Sequence, residues 1–248
     1  MNNPTNFRQL LKHLMGIKGS RSSWLPTLGS LLSDAFEREK AVNDVYKGDV
    51  FKDRIGHSTA DGEGDREERL VARLYKKCVE THSSVVLIGR EKVLLLGYQW
   101  PTQGGNREKK RCADLVGITL QGGLVVFEAK AANGTVPVSA LLEGLDYLAC
   151  LHRFKNFEKI QRSYKTWIIK HGPKIDRDFI EVLPENTIRP TLVLLAPSAY
   201  YERYAKNARG SEWNEISRFG ESWIPAVRTI VVETDYKSNE LTVPKSPK

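Results

Sequence analysis

Three charged residues interrupt an otherwise apolar stretch, Ala113 to Lys130: Asp114 at its start, and Glu128 and Lys130 at its end. Charges on buried strands are costly to desolvate and are kept only where they are paired or used. Glu128 and Lys130 stand two residues apart, so on a strand both side chains project from the same face. A carboxylate held there can ligate a hard cation, and a neighbouring ammonium can steady an attacking water or a phosphate oxygen.

The elements that must position them are legible around the motif. Leu115 to Leu120 and Leu124 to Lys130 are expected as two strands joined at Gly122-Gly123. The register of that hairpin decides whether Asp114 joins the site. A two-residue turn places Asp114 opposite Ala131 and on the far face. A three-residue loop, Gln121 to Gly123, pairs Leu120 with Leu124 and Asp114 with Lys130, and brings all three charges to one face. The three-residue loop, or a bulge of the same effect, is expected.

Upstream, Asp65 to Glu80 carries Leu70, Val71, Leu74 and Cys78 at helical spacing. Val85 to Leu96 is expected as a strand pair around the Gly89 turn. Downstream come a helix from Ser139, as N-cap, to Phe154, and a basic helix over Asn156–Ile169. A buried strand Leu192–Ala196, a helical stretch Ser198–Trp223 and a last strand Thr229–Glu233 follow. This order predicts an α/β fold, a mixed central sheet flanked by helices. Residues 1–60 are read as a helical N-terminal extension and linker, with stripes at Phe7, Leu10, Leu11 and Leu14 and at Leu28, Leu31, Leu32 and Phe36. The main domain is placed at 61–236 and a C-terminal tail at 237–248.

Asp114, Glu128-Ala129-Lys130 and the strand–turn–strand–helix setting resemble the PD-(D/E)xK, or restriction-endonuclease-like, nuclease superfamily. Its core order is αβββαβ, and the resemblance covers about half the chain; Ala113 stands where the family's signature proline would be. The resemblance implies a metal-dependent nuclease that hydrolyses DNA phosphodiesters as an endonuclease. Asp114 and Glu128, with the Ala129 carbonyl, would ligate Mg²⁺, with Mn²⁺ tolerated, and Lys130 would orient the attacking water. Family members often add an acid from the first helix. Glu67 lies within about 40° of Val71, Leu74 and Cys78 around the helix axis, whereas Glu68 points about 100° away. Glu67 is therefore either the third carboxylate of the site or a residue favouring the helix N-terminus.

The charge balance agrees with a polyanionic partner: 38 Lys+Arg against 30 Asp+Glu, a net +8. Arg107, Lys109, Lys110 and Arg111, just before Asp114, are candidates to grip a nucleic-acid backbone. Lys155–Lys174 interleaves cations with Phe157, Tyr164 and Trp167, and 200–223 does likewise; aromatics at helical spacing are by default core. On the helix after the lysine strand, Glu143, Tyr147 and His152 are polar; Tyr147 is the candidate for the site, and His152 is read as surface or structural. DNA is expected as partner, RNA and a homodimer staying open.

Cys78, Cys112 and Cys150 have no zinc spacing or disulfide framework and read as reduced thiols of a cytoplasmic protein. The segment Leu10–Met15 is too short and too charged for a signal or a membrane span. No Walker A loop, GxSxG or HExxH occurs. Two other readings remain: a non-catalytic nucleic-acid-binding protein that retains the nuclease fold, and a protein-interaction module with a chance ExK pair.

Overall fold

The computed structural model describes residues 7, 31–38, 66–81, 83–102, 112–135, 137–205 and 224–242. The helices are α1 (31–38), α2 (Glu67–Thr81), α3 (Pro137–Leu151), α4 (Phe154–His171) and α5 (Ser198–Ala205). The strands are β1 (Val85–Ile88), β2 (Glu91–Pro101), β3 (Cys112–Thr119), β4 (Leu124–Ala129), β5 (Thr191–Ala196), β6 (Arg228–Glu233) and β7 (Glu240–Leu241). They form one seven-stranded mixed sheet in the order β6-β5-β4-β3-β2-β1-β7. The strands from β1 to β4 pair antiparallel, while β4–β5, β5–β6 and β1–β7 are parallel. The expected α/β class, a mixed sheet flanked by helices, is what the chain adopts.

Each face of the sheet has its own core. Leu124 and Val126 of β4 and Leu192 and Leu194 of β5 pack with Leu141, Leu145 and Leu148 of α3. Val125, Phe127, Val193 and Leu195 point the other way and pack with Val71, Leu74 and Cys78 of α2. All six residues of β5 are buried, as a strand covered on both faces requires. Leu32 and Phe36 of α1 and the isolated Phe7 are buried in the α3-side core, so this part of the N-terminal segment packs into the main domain. Leu31 packs partly buried against the same core, and Leu10, Leu11, Leu14 and Leu28 lie outside the described residues.

Several boundaries differ from expectation. The second strand runs to Pro101, beyond Leu96, with a register shift between Leu95 and Gly97 and a left-handed Gln99 at φ 51°. Helix α3 starts at Pro137, so Ser139 lies inside the helix and is not its cap; a proline in the first turn loses nothing, because its missing N–H would have no partner there. Residues 237–242 are not a tail: β7 pairs with β1, and Thr242 bridges to Glu233. Helix α5 covers Ser198–Ala205, and the rest of the expected helical stretch, 206–223, lies outside the described residues.

Candidate active site

The β3–β4 hairpin has a three-residue loop, shifted by one from the expected position to Leu120–Gly122. Thr119 N–H donates to the Gly123 carbonyl (3.0 Å) and Gly122 N–H to the Thr119 carbonyl (2.9 Å). The left-handed position falls on Gly122 (φ 88°), and the Thr119 hydroxyl oxygen accepts the Gly123 N–H at 3.0 Å, which locks this loop over its neighbour in sequence. Pairing runs Ile118 with Leu124 to Leu115 with Phe127. One residue further, Asp114 falls opposite Glu128, not opposite Lys130 as expected. The register slips by two and side-chain faces alternate every residue, so parity survives and the three charges share one face.

At this end of the sheet Lys130 is the hub. Its Nζ lies 2.7 Å from Glu128 Oε1, 3.0 Å from Glu143 Oε2 and 3.7 Å from Glu67 Oε2. Glu67 comes from the start of α2 on the opposite side of the sheet, reaching around the end of β4, and its Oε1 accepts the Ala131 N–H at 3.3 Å. Glu67 thus stands both in the first turn of α2 and beside Lys130. Glu143 comes from α3. That helix sits close over the strands because residue 144 is glycine: a Cβ there would stand 2.6 Å from Leu192 Cδ1 and 3.1 Å from Glu128 Cβ. Asp114 is held by two donors, the Ala129 N–H (2.8 Å, to Oδ2) and the Gln99 amide (3.0 Å, to Oδ1).

Three carboxylates contact one ammonium, a fourth, Asp114, interacts with it through charge, and Glu128 and Lys130 are buried. With all groups ionised, negative charge would exceed positive by three. The titration shifts follow. Burial, then the charge of Asp114, pushes the Glu128 carboxyl well above its ordinary range. Burial likewise raises Asp114 to about 7, helped by Glu67 and Glu143 and opposed by the Ala129 N–H and Lys130. Burial alone would lower Lys130, but Glu128, Glu143 and Glu67 outweigh it, and the ammonium is held above its normal range. Glu128 Oε2 is buried and has no hydrogen-bond partner among the described residues.

Among the described residues no group of three or more His, Cys, Asp or Glu is arranged to hold a metal ion. A hard dication such as Mg²⁺ needs fewer protein ligands, since it keeps most of its waters and substrate oxygens. The unpartnered Glu128 oxygen, the adjacent Asp114 and the excess negative charge fit such an ion. From Ala129, the contact made here is its N–H to Asp114.

The supports behind the hub were not anticipated. The Tyr236 hydroxyl meets the Lys130 carbonyl (2.9 Å) and the Leu195 carbonyl (3.1 Å), and the Leu195 carbonyl also accepts the Lys130 N–H (2.8 Å). Tyr200 and Tyr204 of α5 donate to the Thr135 and Gly134 carbonyls at 2.6 and 3.0 Å, fastening the segment that follows Lys130. Their roles depend on contacts across 65 residues or more. Glu143 was visible as a carboxylate on a largely buried helix, and that signal could have singled it out over Tyr147, which packs partly buried against the core. His152 is buried between Phe36 and Phe157, a structural residue. Arg107, Lys109, Lys110 and Arg111 lie outside the described residues. A concavity of about 380 Å³ at the turn end of the hairpin, lined by Asp178, Glu181 and Glu185, has the wrong charge for a phosphate ester.

No family model, curated protein or solved structure matches the chain. No helix among the described residues is long and apolar enough to cross a membrane.

Proposed function

We propose that the protein is a Mg²⁺-dependent deoxyribonuclease built on a restriction-endonuclease-like core of the PD-(D/E)xK kind. The observation that carries this reading is the convergence of Glu128, Glu143 and Glu67 on one lysine at the end of an apolar hairpin, with Asp114 held beside them on the Ala129 N–H and a buried Glu128 oxygen lacking a partner. Asp114 and Glu128 would hold the ion, with the Ala129 carbonyl as the expected third ligand. When bound, a dication lowers the pKa of a coordinated water and offsets the charge that builds on the scissile phosphate.

The chain's own residues supply the rest. Lys130, released from part of its carboxylate contacts, orients the attacking water and faces the developing negative charge. Its raised affinity for the proton keeps it a cation, so it serves as an electrostatic and positioning group and not as a base. Glu143 and Glu67 hold the ammonium in place from either side of the strand. Gln99 and the Ala129 N–H fix the Asp114 carboxylate.

The test is incubation of purified protein with supercoiled plasmid and with linear single-stranded DNA, in Mg²⁺ or Mn²⁺, against EDTA and a Lys130→Ala control. Metal-dependent cutting that disappears in the variant is expected, with nicked circles as the first product. Salt-sensitive DNA binding with no cutting would move the protein to the non-catalytic reading.

A further inference from the structure

Helix α4 carries five lysines and arginines against a single acid, Glu158. That excess of four is half of the whole chain's net +8, concentrated in 18 of 248 residues. The fold separates this helix's cations from Phe157, Tyr164 and Trp167. Phe157, Tyr164 and Trp167 are buried in the core, whereas Lys155, Arg162, Lys165 and Lys170 are exposed. At about 100° per residue, Lys155 and Arg162 lie within about 20° of each other around the axis, and Lys165 stands about 80° from Lys155. Along the axis, Lys155 and Lys165 are about 15 Å apart. They form a cationic track on one side of a helix whose apolar side is already used.

We propose that this outer face of α4 binds the sugar–phosphate backbone of nucleic acid, as a contact separate from the Asp114–Lys130 site. The helix is tied through Gln161 to the Pro184 carbonyl, and Glu185 N–H in turn donates to the Gly122 carbonyl. Helix α4 is therefore anchored toward the turn end of the β3–β4 hairpin, away from the charged end. No residue of α4 lines the acidic concavity there, so the phosphate track is the outer face of the helix and not that concavity. A rod of phosphates suits this track, in which the exposed Glu158, about 60° from Lys155 around the axis, is the single carboxylate among the cations. A membrane surface suits it less well. A helix lying on lipid needs a broad apolar face, and here only Phe154 (69% exposed) and Ile169 (83% exposed), about 22 Å apart along the axis, are left outside the core. Naming nucleic acid as the partner rests on the reading above; the surface itself does not.

The experiment is fluorescence anisotropy of a labelled 30-base-pair duplex with the full chain in EDTA, over a range of salt concentrations. The triple variant Lys155→Glu/Arg162→Glu/Lys165→Glu should bind at least tenfold more weakly. Its log–log salt slope should be shallower by about 2.7, near 0.9 for each lost phosphate contact. The Gln triple at the same positions should show the same change of slope with a smaller loss of affinity, and it carries the test if the Glu triple fails to fold. Unchanged affinity and slope in the Gln triple, or no duplex binding by the unmodified chain, would overturn the proposal. Loss of binding to phosphatidylserine vesicles with duplex binding intact would overturn it in favour of a membrane. If the unmodified chain binds duplex through α4 but never cuts plasmid, the surface stands and the nuclease reading falls.

Discussion

Two lysines in this protein are each clamped by more than one carboxylate, and the clamps behave in opposite ways. Lys92 on β2 meets Asp176 Oδ2 at 2.8 Å and Asp178 Oδ2 at 2.7 Å, with side chains that water reaches. Those hydrogen bonds raise Lys92 to about 12, and Lys92 lowers Asp176, so both partners prefer their ionised forms there. Lys130 meets carboxylates at similar distances, but its side chain is 7% exposed and that of Glu128 only 3%. There the ammonium is favoured while Asp114 and Glu128 are driven toward protonation. Contact distance does not tell the two clamps apart; the direction in which the carboxylates shift does. The surface clamp is complete in itself and ties β2 to the turn after α4. In the buried one a single cation faces more carboxylates than it can balance, and the tendency of Asp114 and Glu128 to take up protons relieves the excess.

The contrast is broken most directly by removing each lysine in turn. Lys130→Ala takes the only ammonium from four carboxylates and should destabilise the fold at pH 8 by about 3 kcal/mol or more in urea titrations. The loss should shrink at pH 5, where Asp114 and Glu128 can take up protons. Equal stability of variant and parent at pH 8 would show that the buried clamp is as self-sufficient as the exposed one.

A smaller effect should appear in the pH dependence of the unaltered protein. Asp114 is raised from its ordinary range to about 7, so between about pH 4 and 7 the folded chain keeps a proton that the unfolded chain has lost. Stability should therefore fall as pH rises through this window, by on the order of a few kcal/mol from Asp114, with Glu128, also raised, adding to the fall in the same direction. Asp114→Asn should reduce that slope, and Mg²⁺ at pH 8 should restore stability to the parent alone. A parent whose stability is level from pH 4 to 7 would contradict the assignment of strain to this carboxylate.

The smallest effect is expected from Lys92→Ala. Exposed ion pairs contribute little, so its melting temperature should stay close to the parent's and plasmid cutting should persist. A drop as large as that of Lys130→Ala would mean that burial is not what separates the two clamps.

Much of this arrangement was legible in one dimension. The apolar run broken by Asp114, Glu128 and Lys130 marked the hairpin, and alternation put Glu128 and Lys130 on one face whatever the loop. Periodicity placed Glu67 on the inward side of α2, where it meets Lys130. Burial of Phe157, Tyr164 and Trp167 follows their helical spacing in the same way. These features depend on residues a few positions apart, which the backbone geometry of a helix or strand orients by itself.

Other features needed the assembled chain. The loop position, and so the pairing of Asp114 with Glu128 and not with Lys130, was decided by the left-handed Gly122 and the Thr119 hydroxyl. Gln99 reaches Asp114 only because β2 continues past a register shift to Pro101. Glu143 reaches Lys130 only because Gly144 lets α3 settle on the sheet. Tyr236 fastens the Lys130 carbonyl from the β6–β7 connection 106 residues away, and residues 240–241 become an edge strand because β1 offers an open side. Local periodicity thus determined which side chains face inward along each element. Only tertiary packing decided which of them meet, because the meeting depends on distances between elements that no local pattern encodes.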